Sequence, residues 1–123
     1  MQQSVTVHPE EYVGGARRVT LPTSSAYSVS AAPYGLLPGP LGNGWVIARY
    51  IPVAIHADED GWYVLSDTVF QVYGDGGTLA AAQRDYIASL IDYYRMVERD
   101  ALENDASARR ELKRVQKYVH PMQ

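Results

Sequence analysis

Apolar side chains recur at every third or fourth position in the second half of the chain, which is typical of a helix with one buried face. The pattern runs from Leu79 to about Asn104, and Thr78 stands directly before it as a candidate N-cap. Asn104 and Asp105 interrupt the pattern, so we predict a helix over residues 79–104. Its buried face is predicted to carry Leu79, Ala82, Tyr86, Leu90, Tyr93, Val97 and Ala101, and its solvent face Arg84, Asp92, Arg95 and Arg99.

A second, shorter helix is predicted to begin at Asp105 or Ser107 and to end near Val119, because Pro121 stops it. Its apolar side is narrow, whereas its other side is basic. A basic side can touch nucleic-acid phosphates, but it is more typical of a solvated face balanced by Glu111 and nearby acids, and we expect the latter. The basic side carries Arg109, Arg110, Lys113, Arg114 and Lys117.

Residues 45–73 have the alternation and the β-branched and aromatic side chains of β-strands. In the first strand, at residues 45–55, one parity is apolar except for Arg49. Pro52 interrupts this strand and predicts an edge position, a bulge or a break into two strands.

An acidic segment at residues 58–61 ends in an Asp-Gly step, which is typical of a tight hairpin. We expect strands at residues 62–65 and 69–73 to follow it, joined by a turn at residues 66–67. The Gly-Asp-Gly-Gly segment at residues 74–77 is expected to end the sheet.

Residues 1–44 differ in composition, since they hold five of the seven prolines and six of the ten glycines. Long helices are excluded there, and only short strands are predicted, at residues 4–7 and 18–21. Residues 31–44 are expected to form a loop or an arm that lies against the body of the protein or against a second subunit. The chain is thus divided into an N-terminal arm, residues 1–44, and a domain at residues 45–123.

The predicted order of elements is three strands, a long helix and a shorter helix. Such an order favours a two-layer α+β fold, in which a small antiparallel sheet of three or more strands packs on one long helix, with a C-terminal helix added. A short sheet leaves an unpaired edge, and pairing of two edges is one way to satisfy it. We therefore also expect a homo-oligomer.

Composition narrows the classes of function. The chain has 123 residues, 46% hydrophobic and 20% charged, which is ordinary for one globular domain. It has no cysteine, no signal-peptide pattern at its first residues and no apolar run near the roughly 18 residues of a membrane span, so a cytoplasmic protein without a membrane partner is expected. The net charge of -3 argues against a domain that coats nucleic acid, so nucleic acid is not an expected partner of this chain alone.

The polar residues match no catalytic motif, so no catalytic, cofactor-binding or metal-binding residue is predicted. Asp58, Asp60 and Asp67 fall in predicted turns, where aspartate usually serves the geometry of the turn. The three histidines show neither a helical pair spacing nor an HExxH pattern. A metal-dependent hydrolase of nucleic acid or nucleotides that uses these acids stays open as an alternative function.

Short motifs follow one another from residue 53 to residue 94: Val53-Ala-Ile-His-Ala-Asp-Glu-Asp-Gly61, Trp62-Tyr-Val, Ser66-Asp67, and Gly74-Asp-Gly-Gly-Thr78 at the start of a helix. In this order the chain resembles the HicB-like antitoxin family, over about a third of its length. The resemblance implies a reduced ribonuclease-H-like fold without catalytic acids. It also implies self-association and the neutralisation of a small RNA-cleaving toxin by protein–protein contact. No ribbon-helix-helix or helix-turn-helix pattern follows, so operator DNA binding is not implied.

The resulting hypothesis is a non-catalytic protein-binding domain, a HicB-like antitoxin or a relative, that binds a protein partner and no cofactor. A structural subunit of an oligomer, held together by the N-terminal arm, is a further alternative. Aromatic residues dominate the energy of protein interfaces, and the chain has ten tyrosines against one phenylalanine. The expected partner-binding residues are Trp45, Tyr50, Trp62, Tyr63 and Tyr73.

Overall fold

A computed structural model describes residues 34–122, together with three two-residue strands nearer the N-terminus. The strands predicted at residues 4–7 and 18–21 lie outside the described residues. The described chain forms antiparallel sheets and helices and belongs to the predicted α+β class. Its elements are β1 (Tyr12–Val13), β2 (Ala16–Arg17), β3 (Ser28–Val29), β4 (Gly35–Leu36), β5 (Gly39–Pro40), β6 (Trp45–Ile47), β7 (Ile51–Ala57), β8 (Tyr63–Asp67), β9 (Tyr73–Gly76), α1 (Leu79–Leu102), α2 (Ala106–Gln116) and β10 (Val119–Pro121).

The main sheet contains the predicted meander of β7, β8 and β9, and the other side of β7 pairs with β4 and β3. Pro52 lies inside β7. The N–H of Val53 donates to the carbonyl oxygen of Tyr34 at 2.9 Å, so the missing N–H of Pro52 falls on the β8 side of the strand. There the β7–β8 ladder begins only at Val53, opposite Asp67, and Pro52 removes no bond from it.

The break in the first predicted strand falls at residues 48–50, just before Pro52, and separates β6 from β7. At this point the N–H groups of Ala48 and Arg49 donate to the carbonyl oxygen of Tyr118, at 2.7 and 3.4 Å. The chain thus leaves one sheet and enters the other while its amides stay hydrogen-bonded, as buried backbone requires.

The hairpin predicted at residues 58–61 is confirmed, and it joins β7 to β8. Gly61 has a φ of 81°, a conformation that glycine adopts without strain. The Oδ1 atom of Asp58 accepts the N–H groups of Asp60 and Trp62, both at 2.9 Å. The aspartate therefore holds the turn from inside, which is the role expected for it.

The turn predicted at residues 66–67 is wrong, because both residues belong to β8 and the chain turns at residues 68–71 instead. Gln71 has a positive φ of 60° in this turn. The Oδ1 atom of Asp67 accepts the N–H groups of Phe70 at 2.5 Å and Gln71 at 3.1 Å. Asp67 is thus a turn residue in its chemistry, but the turn that it holds comes after it.

The strand predicted at residues 69–73 lies at Tyr73–Gly76 instead, so the sheet ends within the Gly-Asp-Gly-Gly segment, and Gly74 and Gly76 are part of β9. Helix α1 crosses directly over this strand. A Cβ atom built at Gly74 would lie 2.0 Å from the backbone nitrogen of Tyr86, and one at Gly76 would lie 2.7 Å from that of Ala82. The glycines therefore serve a close approach between strand and helix, and do not break the strand.

A second antiparallel sheet has the order β5–β6–β10. The segment at residues 31–44, predicted to be a loop or an arm, contains the short strands β4 and β5. The boundary placed between residues 44 and 45 lies inside the β5–β6 hairpin. Helix α2 ends before the predicted position, because the chain then extends into β10 and pairs with β6. Tyr34, Leu36 and Leu41 pack against the core, whereas Leu37 is 73% exposed.

Helix α1 begins as predicted, since Thr78 Oγ1 accepts the N–H of Ala81 at 3.0 Å. Asp105 caps α2 in the same way, with Oδ1 accepting the N–H of Ala108 at 3.0 Å. The core lies between α1 and the two sheets, and α2 contributes Val115 to it. Of the predicted buried face of α1, Leu79 is the exception, being 36% exposed at the helix start.

Candidate functional site

The five aromatic residues expected to bind a partner do not form one surface. Trp45 and Tyr73 are buried, with 7% and 2% of their surface exposed, so both serve the packing of the fold. Tyr63 is half-buried against the core. Tyr50 and Trp62 are exposed, at 38% and 42%, but they lie beyond opposite ends of β7.

Each of the two exposed rings covers a glycine. A Cβ atom at Gly35 would lie 2.6 Å from the ring of Tyr50, and one at Gly77 would lie 3.5 Å from the ring of Trp62. Aromatic rings commonly cover glycines in sheets in this way. The inner side of each ring therefore packs on the backbone, while the outer side stays open to solvent.

Asp67 is the only buried acid in the part of the chain that the structure describes. Besides the two amides of its turn, its carboxylate accepts the hydroxyl of Tyr86 at 2.6 Å. Burial, and next the neighbouring Asp67 carboxylate, raise the pKa of the Tyr86 phenol well above its ordinary value. The phenol therefore stays protonated and donates to Asp67, and three donors fix this carboxylate between the turn and α1.

The acids of the alternative hydrolase are separated. Asp58 is engaged in the β7–β8 hairpin at one end of β8, and Asp67 lies at the other end. Within the described residues, no three His, Asp or Glu side chains form a group that could hold a metal ion. His56 lies on β7, where burial lowers its pKa, and His120 lies on β10.

A groove of about 520 Å³ lies between α1 and the β5–β6 connection. Leu41 and Trp45 line it from the β5–β6 side, and Ile87 and Ile91 line it from α1. Its volume is within the range of roughly 300–1,000 Å³ that ligand sites commonly have. Apolar side chains thus meet on both sides of an accessible cleft.

Two arginines of α1, Arg84 and Arg95, also line this groove. They are eleven residues apart on the helix, which at about 1.5 Å per residue is roughly 16 Å and three turns. The guanidinium of Arg95 lies 5.5 Å from the ring centroid of Trp45. Neither arginine forms an ion pair with a carboxylate of the described residues.

Sequence reasoning missed the groove, although it placed both arginines on the solvent face of the helix. The facing wall comes from Leu41, Asn43 and Trp45, and the segment that holds the first two was predicted to be a loop or an arm. Its apolar residues, such as Leu41, were the signal that something packs beside α1.

The outer edge of the main sheet is partly blocked. β9 is its last strand, and the N–H of Asp75 in β9 donates to Oδ2 of Asp85 in α1 at 2.9 Å. An N–H that a side chain already occupies does not pair with a strand of another copy. Self-association stays a prediction, and this edge does not favour it.

No protein-family model, no curated protein and no solved structure matches this chain. Among the residues that the structure describes, no helix combines the length and the apolar character needed to cross a membrane. What the groove can bind is therefore judged from its own geometry.

Proposed function

We propose that this chain is a cytoplasmic, non-catalytic protein-binding domain, a HicB-like antitoxin or a relative, that acts by contact with a protein partner. The groove between α1 and the β5–β6 connection carries the proposal. Its lining combines the apolar side chains of Leu41, Ile87 and Ile91 with the exposed Arg84 and Arg95. It also includes Asn43, Asp92 and the largely buried Trp45. Arginine is among the residues that most often dominate the energy of protein interfaces. In line with the family resemblance, the expected partner is a small ribonuclease toxin.

The dimensions of the groove suit a segment of a protein chain. Arg84 and Arg95 mark a length of roughly 16 Å along α1. An extended peptide of about five residues covers this length at about 3.3 Å per residue. An apolar side chain of such a segment can pack on Ile87 and Ile91, while carboxylates or carbonyl oxygens accept from the two guanidiniums. Trp45 is already fixed by packing, so binding costs little ordering on this side.

Four acidic side chains support binding over catalysis, because they hold the backbone. Asp58 and Asp67 accept amides in the two turns, Asp85 accepts an amide at the sheet edge, and Asp105 caps α2. A general base or metal ligand needs an oxygen that is directed into a cleft where substrate binds. These four carboxylates are directed at N–H groups of their own chain.

The test first looks for a small reading frame that flanks the gene. Its product is co-expressed with the chain, and calorimetry on the purified complex and an RNA-cleavage assay follow. The double variant Arg84→Ala/Arg95→Ala is expected to bind at least about 30-fold more weakly, the equivalent of one interface hot spot of about 2 kcal/mol. RNA cleavage, suppressed by the wild-type chain, is expected to return at the concentrations where the variant dissociates.

Arg99→Ala is the matched control, because Arg99 is exposed on the same helix and does not line the groove. We expect it to bind like the wild type. Wild-type affinity of the double variant would remove the groove as the contact surface. A stable complex that leaves RNA cleavage unaffected would contradict the antitoxin activity but not protein binding.

A further inference from the structure

Helix α2 carries its cations on the side that points away from the core. At about 100° per residue, Arg109, Lys113 and Lys117 follow one another within a sector of about 80°, and Arg110 lies beside them. All four are exposed, and Lys117 continues the helical backbone as the C-cap. Val115, the buried residue of α2, lies on the opposite side of the helix. We call these four cations the basic face.

The acids do not neutralise the basic face. Glu111, the one acid within the helix, forms its ion pair with Arg114 at 2.9 Å and accepts the hydroxyl of Tyr93 at 2.5 Å. Arg114 also lies over the ring of Phe70, 4.7 Å from its centroid. No member of the basic face has an acidic partner among the described residues. The balance with Glu111 that the sequence suggested is therefore confined to Arg114.

The spacing of the cations works against the helix. Arg109 and Lys113 are four residues apart, as are Lys113 and Lys117, and like charges at this spacing repel each other. An acid at Lys113 would turn both repulsions into attractions. A local arrangement that opposes stability without a structural gain points to a function of the surface.

Three of the cations meet around one depression. Arg109, Arg110 and Lys113 line a surface pocket of about 270 Å³ next to Ala106, at the start of α2. The guanidinium and ammonium groups supply hydrogen-bond donors and no acceptor. The pocket is therefore suited to an anion that offers several oxygens, such as a phosphate.

The side chains of the basic face show which kind of partner suits it best. A protein interface needs apolar or aromatic anchors, and an amphipathic helix on a membrane inserts an apolar side. The basic face has no large apolar residue, and the apolar side of α2 is turned to the core. The phosphodiester backbone of a nucleic acid needs only placed positive charges.

We propose that the basic face of α2 binds the phosphate backbone of a nucleic acid strand, with Arg109, Arg110 and Lys113 around one phosphate and Lys117 at a neighbouring one. Because the net charge of the chain is -3, the attraction of a nucleic acid is confined to this helix. This binding is independent of the groove on α1. It is also independent of base sequence, because no side chain is assigned to a base edge.

The test is fluorescence anisotropy of the full chain with a labelled RNA strand and a labelled DNA duplex, each about 20 nucleotides long, over a range of salt. Contacts with two phosphates predict that the logarithm of the association constant falls with the logarithm of the salt concentration with a slope of about -1.6, so that raising salt from about 50 to 200 mM weakens binding about 9-fold. Lys117→Ala removes the cation assigned to the second phosphate, and it is expected to reduce the slope by about 0.8 and to weaken binding to all base sequences equally. The two polymers show whether RNA or DNA is preferred.

Arg84→Ala/Arg99→Ala is the control, since it removes two exposed cations from α1 and leaves α2 intact. The expected result is unchanged binding by this variant and loss of binding by Arg109→Ala/Lys113→Ala, with both variants equally folded by circular dichroism. Equal weakening by the two variants would overturn the proposal, as would absence of binding at about 50 mM salt. Binding to vesicles of anionic phospholipid but to neither polymer would overturn it in favour of a membrane surface.

Discussion

Helices α1 and α2 follow one another in the chain, yet nine side chains of α1 are buried and only one of α2, Val115. Helix α1 lies so close to β9 that glycines are needed beneath it. Helix α2 is held by its cap, by Val115 and by contacts of Glu111 and Arg114 at its side. The two helices therefore have different roles. Helix α1 holds the sheets together, whereas most of the surface of α2 takes no part in packing.

The difference between α1 and α2 also explains why repulsion between like charges is tolerated on α2. A residue of α1 that faces the sheets has fixed neighbours, and interiors at close packing accommodate few changes. The basic face of α2 has no such neighbours, so repulsion among its cations costs only tenths of a kcal/mol. Substitutions in the buried face of α1 should therefore lower the stability of the protein by more than substitutions in α2. In the basic face of α2, a substitution that removes a cation should leave stability equal or raise it slightly.

Gly74→Ala is expected to have the largest effect. Its new Cβ atom would lie 2.0 Å from a backbone nitrogen of α1, so strand and helix must move apart. Overpacking of this kind costs about 1–3 kcal/mol or more, and we expect a loss of about 3 kcal/mol in the free energy of unfolding, measured with urea. Gly77→Ala is the control, because its Cβ atom would meet only the ring of Trp62, at 3.5 Å. Similar losses for both would show that α1 is not packed as described.

Tyr86→Phe is expected to lower the free energy of unfolding by about 2 kcal/mol, because it removes a hydrogen bond to the buried Asp67 carboxylate. Tyr50→Phe has no such bond to lose and serves as the control. Denaturant titrations of both variants at neutral pH provide the comparison. An effect of Tyr86→Phe no larger than that of the control would mean that the hydroxyl does not stabilise the turn after β8.

The raised pKa of Tyr86 predicts how this difference depends on pH. A phenol whose pKa is higher in the folded state contributes stability that is complete below its unfolded value of about 10 and is lost as pH rises through the folded value. Tyr86→Phe cannot lose this contribution. The gap in unfolding free energy between wild type and variant should therefore narrow above about pH 10, and a gap that widens there would contradict the assigned hydrogen bond.

Lys113→Gln is expected to have the smallest effect and the opposite sign. It removes two repulsions at four-residue spacing, so the melting temperature should stay equal or rise slightly, by the equivalent of about 0.2–0.5 kcal/mol per pair. Arg114→Gln is the control, since it loses the ion pair with Glu111 and the contact with Phe70 and should lower the melting temperature. A clear loss of stability in Lys113→Gln would mean that the basic face takes part in packing.

The sequence was sufficient for elements that local chemistry decides. Thr78 and Asp105 marked the starts of both helices, and the Asp-Gly step marked the β7–β8 hairpin. These signals act within a few residues, so no tertiary contact is needed to interpret them. The helical periodicity of α1 was reliable for the same reason.

The errors arose where a residue serves a distant partner. Gly74 suggested the end of a strand, but its role is set by Tyr86 of α1. The segment at residues 31–44 suggested a loop or an arm, and the pairing of its short strands β4 and β5 with β7 and β6 could not be foreseen from local signals. For the site, the sequence identified Trp45 as notable and the arginines as exposed, and it could not bring them together, because the second sheet was not foreseen.

Strand β10 has a consequence for how the molecule assembles. It pairs with β6 across about seventy residues of chain, Val119 opposite Ile47 and Pro121 opposite Trp45. Closing so long a loop costs entropy before any contact compensates for it, so we expect this pairing to form late in folding. Until β10 docks, Trp45 lacks a neighbour strand on one side and the wall of the groove is incomplete. A partner that uses the groove would therefore select chains whose folding has finished.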